Sequence, residues 1–131
     1  MRNYLLPLLT TFVLLASGCY RQSSDSIVRE VQEQISQDIP TGTTMGVVEE
    51  YFGKRNLAYT FEDDAYLRES GTLNLHPEDL RDAGSDLQGR YCVLVRKVGL
   101  GNNAISVHAY VYVNRSNRVS AIRCRSFHTG P

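Results

Sequence analysis

The chain has 131 residues, 42% of them hydrophobic and 21% charged, with no Trp and a formal net charge of zero. That length supports one small domain, and the lack of net positive charge argues against nucleic acid as a partner. The balance hides a division: residues 20–86 hold all 14 acidic residues against six basic ones, a charge of −8, while residues 87–131 hold seven basic residues and no acidic one. Such asymmetry implies either an interaction surface or complementarity between the two halves of the chain.

Residues Met1–Gly18 combine Arg2, an apolar run from Leu5 to Ala16, and the small residues Ala16, Ser17 and Gly18 directly before Cys19. The run is too short to span a bilayer and Pro7 interrupts it, so it reads as a secretory signal. The ending LLASGC resembles the bacterial lipobox. That resemblance implies an acylated Cys19 as the first mature residue and, with Tyr20 rather than Asp next, sorting to the periplasmic face of the outer membrane of a Gram-negative host. Tyr20–Ser26, polar and Ser-rich, reads as a tether. The expected organisation is therefore a signal at 1–18, a lipidated tether at 19–26, and a single α+β domain at 27–131.

In SDSIVREVQEQIS, residues Ile27, Val28, Val31 and Ile35 share one stripe, which predicts an amphipathic helix over 24–36 capped by Ser24 or Ser26 and ended by Pro40 and Gly42. TTMGVVEEYFG predicts a second helix with Thr41 or Thr43 as cap, Val47, Val48, Tyr51 and Phe52 on its apolar side, and Gly53 as terminator. Glu49 and Glu50 fall on its wet side. Adjacent helical positions diverge by about 100°, so they do not form a catalytic carboxylate pair.

LAYTF, residues 57–61, reads as a short strand that 65–68 continues or doubles. Glu62, Asp63 and Asp64 lack the alternating ligands and turn glycine of a calcium loop and read as a charged turn. Residues 71–89 are the least regular, with one helical turn started by Pro77. His76, Glu78 and Asp79 there lack a fourth metal ligand. GRYCVLVRKV, residues 89–98, is a strand whose preferred facing puts Tyr91, Val93 and Val95 inward, because that keeps Arg96 out of the core.

ISVHAYVYVNRSNRVSAIRC then reads as a β-hairpin. Ile105, Val107, Ala109, Val111 and Val113 alternate, Asn114–Asn117 turn the chain, and Val119, Ile122 and Cys124 resume the pattern. Pairing Val113 with Arg118 sets Ile122 beside Ala109 and Cys124 beside Val107 on the buried face. The other face then carries His108, Tyr110, Tyr112, Arg123 and Arg125. This basic, aromatic patch is either an ordinary solvated face or a surface for an envelope protein or anionic lipid.

With Cys19 acylated, Cys92 and Cys124 remain in an oxidising compartment, which invites a disulfide. A simple meander opposes it: the two would flank the middle strand, about 9.6 Å apart, beyond the reach of a bridge. Ser106 and His108 share a strand face but no placed Asp or nucleophile turn accompanies them. No phosphate loop, metal quartet or cofactor motif is present, and the chain does not read as an enzyme.

Gly42, Thr43, Val47, Phe52 and Gly53, matching G-T-x-x-x-V-x-x-x-F-G with one residue of slippage, together with the strand Tyr59–Phe61 and the hairpin VYVNRSNRVSAI, resemble the SmpA/OmlA-type small lipoproteins of the outer-membrane β-barrel assembly machinery. The resemblance spans residues 39–122 and departs from the pattern in the long 62–89 insertion and the extension after Ile122. It implies two helices on one face of a three- to four-stranded antiparallel meander, as in β-lactamase-inhibitor-like domains. The implied role is a non-catalytic scaffold contacting partner proteins and phosphatidylglycerol. The lipobox, the fold pattern and the charge division lead to the expectation of a lipid-anchored interaction module acting through the exposed sheet face or the loop 70–88. The fold analogy admits an inhibitor or immunity-type protein as the alternative.

Overall fold

The computed structural model describes residues 23–69, 77–99 and 104–129. Cys19, the expected signal, His76 and residues 70–75 lie outside them. Helices α1 (Ser24–Asp38) and α2 (Met45–Lys54) precede strand β1 (Tyr59–Asp63), two short helices, α3 (Asp64–Glu69) and α4 (Pro77–Ala83), and strands β2 (Leu87–Val98), β3 (Ala104–Asn114) and β4 (Val119–Thr129). The strands form one antiparallel sheet in the order β1-β2-β3-β4, a simple meander. Two N-terminal helices packed on a four-stranded meander is the α+β architecture expected from the sequence.

Helix α1 is capped by Ser23, one residue earlier than expected, whose side chain accepts from the Ser26 backbone N–H. Residues 24–26 therefore belong to the helix, and the expected tether shortens accordingly. Ile27, Val31, Ile35 and Ile39 form its buried stripe, joined on the sheet's first face by Val48, Phe52, Tyr91, Val93, Val107, Ala109, Val111, Val113, Val119, Ile122 and Cys124. Each large apolar side chain so buried contributes roughly 1.5–3 kcal/mol relative to exposure. Helix α2 starts after Thr44 rather than Thr41 or Thr43 and runs through Gly53 to Lys54. The chain leaves it through Asn56 at φ 54°. Val47, assigned to its apolar side, is 52% exposed.

Helix α1 runs antiparallel to the outer strand β4 and closes its free edge. The Gln32 side-chain amide donates to the Ile122 carbonyl (2.8 Å) and accepts from the Cys124 N–H (2.7 Å), as a neighbouring strand would. Further along that edge, Gly42 donates to the Val119 carbonyl and Val119 to the Thr43 carbonyl, both at 2.8 Å. An edge so occupied cannot recruit another strand there.

The β3–β4 hairpin keeps the expected facing with a different register. The Asn114 side chain accepts from the Ser116 and Arg118 backbone N–H groups, and Asn117 takes φ 60°. Val113 pairs with Val119 rather than Arg118, and a bulge before Ala121 adds one more residue, so Ile122 lies opposite Val111 and Cys124 opposite Ala109. Two single-residue shifts restore the parity, and the faces survive. Strand β2 has a bulge between Leu94 and Arg96 that reverses the parity beyond it. Tyr91 and Val93 face inward as expected. Arg96, however, falls on the core side opposite Val107 and reaches the rim, where it pairs with Glu30 at 3.2 Å. Residues 65–68 are helical rather than strand: Asp63 Oδ1 accepts from the Tyr66 N–H and turns the chain out of β1.

Cys92 and Cys124 are both free. Cys92 pairs with Tyr110 on the second face while Cys124 sits in the core on the first, with β3 between their strands. No helix among the described residues is long and apolar enough to cross a membrane.

Candidate functional site

The five residues singled out on the sheet's second face, His108, Tyr110, Tyr112, Arg123 and Arg125, do share that face, but they do not form one exposed patch. Helices α3 and α4 roof the end of it nearest the β3–β4 turn. Leu67 from α3 and Ala83 from α4 bury Tyr112 and Leu87, with Tyr110 and Ala121 partly covered. Tyr112 is 0% exposed, which corrects its assignment to a wet surface. The sequence hid this because α3 lies where a strand was expected and α4 where a loop with a single helical turn was.

The roof is fastened by charge. Asp79 on α4 is 1% exposed and accepts from Arg125 with both carboxylate oxygens at 2.8 Å and from the Tyr112 hydroxyl at 3.1 Å, with Arg123 Nε 3.8 Å away. Arg125 thus serves the fold rather than a free basic patch. Beside it Arg90, 3% exposed, donates to Glu62 at 2.6 Å and to the Tyr112 hydroxyl at 3.4 Å, and its guanidinium lies 4.5 Å from the Tyr110 ring centroid. Burial alone would lower the Arg90 pKa, and the hydrogen bonds to Glu62 and Tyr112 more than reverse this. The arrangement satisfies the rule that a buried charge persists only when paired and hydrogen-bonded.

Towards the other end of the same face the roof stops. A shallow, open hollow of about 370 Å³ is lined by Ala58, Tyr59, Thr60, Cys92, Leu94 and His108. Leu94 is 42% exposed, and across β3 Phe127 is 45% exposed with its ring edge-on to His108 at 5.1 Å. Burial lowers the His108 pKa, so its imidazole is neutral at neutral pH. Neither Leu94 nor Phe127 was singled out from the sequence. The alternation that put Cys92 and His108 on this face could have placed Leu94 there too.

The chemistry of these groups is quiet. The Cys92 thiol donates to Glu62 at 3.3 Å, and burial pushes its pKa up to about 12. Cys124, desolvated in the core, is also pushed up to about 12. Both are thiols rather than nucleophilic thiolates at neutral pH. Ser106 donates to the Phe127 carbonyl at 3.4 Å. Glu49 accepts from the Tyr91 hydroxyl, and Glu50 pairs with Lys54. Among the described residues no group of His, Cys, Asp and Glu is placed to hold a metal ion.

The division of charge along the chain resolves largely into internal pairs. Glu62 meets Arg90, Asp79 meets Arg125, Glu30 meets Arg96, and Asp64 and Asp86 flank Arg115 at 3.8 and 4.0 Å. Complementarity between the halves is therefore the stronger of the two explanations drawn from the sequence. Comparison with protein-family models, curated proteins and solved structures finds no match.

Proposed function

We propose that this chain is a lipid-anchored, non-catalytic interaction module of the bacterial cell envelope. Acylated Cys19 holds it at the periplasmic face of the outer membrane, and it binds an envelope protein through the open half of its second sheet face. The observation that carries this reading is the contrast within that face. One half is roofed and internally neutralised around Asp79, while the other presents Leu94 and the hollow beside His108 to solvent. Exposed apolar groups around a concavity, next to a rigid polar frame, suit the seating of a partner's apolar side chain. The protonated thiols and the Ser106 hydroxyl bonded to a backbone carbonyl support the absence of catalysis.

The resemblance to SmpA/OmlA-type lipoproteins supports the same class of role. Two of its positions have structural reasons here: Gly42 sits at φ 93° and Phe52 is fully buried, whereas Val47 is exposed. The first face is already filled by α1 and α2, and residues 77–83 of the candidate loop are fastened to the sheet as α4.

Leu94→Glu tests the site, because it alters an exposed side chain and leaves the Asp79 frame intact. After in-cell crosslinking, the variant should recover envelope partners at least tenfold less efficiently than the parent at unchanged urea midpoint. Equal recovery of the same partners would remove this surface from consideration.

A further inference from the structure

Helix α1 sets which end of the domain lies nearest the anchor. Gln32 is level with Ile122 and Cys124, and α1 runs antiparallel to β4. The eight residues from Gln32 back to Ser24 rise about 12 Å, which corresponds to nearly four residues of strand. The start of α1 is therefore level with Phe127. In register, that row continues through Ser106 to Lys97, and the next row runs His128, Ile105, Val98. Glu30, nearly two turns into the helix, pairs with Arg96 on the same half of the sheet at 3.2 Å.

This end carries exposed apolar surface together with cations. Phe127 is 45% and Val98 39% exposed, and Lys97 and His128 are exposed beside them. Arg96 and Arg29 add positive charge; Asp25 and Glu30 are the nearby acids, the latter paired with Arg96. From Cys19 to the Ser23 cap the chain has four residues, a reach of about 14 Å at full extension. The opposite end, at the 114–118 turn, begins eight residues along β3 from Ser106, about 27 Å away and nearly twice that reach.

We infer that the domain stands on the phospholipid headgroup layer through the sheet end formed by Lys97, Val98, Phe127 and His128, an inference that rests on acylation of Cys19. The short tether makes the contact intramolecular, at an effective concentration in the millimolar range, so weak apolar and electrostatic contacts suffice to orient the domain. The β3–β4 turn then points away from the bilayer, and the hollow beside His108 faces sideways, parallel to the membrane plane.

The full-length lipoprotein, reconstituted in phosphatidylcholine vesicles that carry a headgroup aryl-azide phospholipid, is irradiated and its adducts are mapped by peptide mass. Intact mass of the same sample reports acylation. The expected result is an acyl mass on Cys19 with adducts on 96–98 and 126–129 at least tenfold above those on 114–118. Inserting twenty Gly/Ser residues after Tyr20 should reduce that ratio to below threefold. Acylated protein with adducts spread evenly along the domain, or concentrated on 114–118, would overturn the placement while leaving the anchor standing. An unmodified Cys19 would overturn the anchor, and the placement with it. An unchanged ratio in the lengthened chain would overturn the tether as its cause.

Discussion

Asp79 is 1% exposed and joins three elements, receiving Arg125 from β4 and the Tyr112 hydroxyl from β3 while belonging to α4. Removing one partner of a buried pair leaves the other charge uncompensated, a loss of about 3–5 kcal/mol when burial is complete. Arg125 keeps 28% of its side chain exposed, so Asp79→Ala is expected to cost less, roughly 2–4 kcal/mol in chemical denaturation. Tyr112→Phe removes a single hydroxyl and should cost about 1 kcal/mol. Equal losses from the two variants would mean that the Asp79–Arg125 pair contributes nothing beyond the hydroxyl contact. The sequence showed Asp79 only as one acid in an irregular stretch, because its role depends on a cation 46 residues later.

Among the elements, β2 is tightly constrained where it meets β1. Gly89 lies where an added Cβ would come within 2.5 Å of the Glu62 carbonyl oxygen and 2.6 Å of the Phe61 ring. Backbone cannot yield cheaply at that distance, so Gly89→Ala should lose about 1–3 kcal/mol, read as a lower urea midpoint. At the far edge, Gln32→Ala removes both of that side chain's contacts to β4 and bares the Ile122 carbonyl and Cys124 N–H. The expected cost is about 1–2 kcal/mol, with amide exchange at Cys124 accelerated more than at its neighbours. Uniform acceleration along β4 would indicate general loosening instead. The helices and strands of the meander were largely legible, since α1, α2 and the hairpin each carry a clean period and β2 a run of apolar residues long enough for a strand. Registers and caps were less so: a bulge has no periodic signature, and the β2 bulge carried Arg96 to the side from which alternation excluded it.

For the whole molecule, burial of weak acids makes stability depend on alkaline pH. Cys92 and Cys124, with ordinary pKa values near 9, and Tyr112, ordinarily near 10, are all raised to about 12 by desolvation. Between pH 9 and 12 the unfolded chain therefore gives up protons that the folded chain retains. The contribution is fully present below pH 9 and is lost as pH rises towards 12, by about 1.4 kcal/mol per pH unit for each thiol. Denaturation midpoints measured at pH 7, 9 and 10.5 should fall across the last interval, less steeply in a Cys92→Ala, Cys124→Ala variant. An identical slope would assign the alkaline loss to the tyrosines. The five-residue site was legible only as membership of a face. Which part of that face is roofed depends on α3 and α4, whose short, weakly periodic sequences gave no sign of where they dock.

The packing of α1 on β4 also dictates an order in time. Gln32 bonds to residues 90 and 92 positions later in the chain, and its helix packs chiefly on the last strand. A chain delivered N-terminus first presents Ile27, Val31 and Ile35 long before the surface that covers them exists. The meander, built from neighbouring strands, can assemble as it emerges, but the first helix must wait for the last strand. Until then its apolar stripe is open to whatever holds unfolded chains, and burying it requires the beginning of the chain to meet its end.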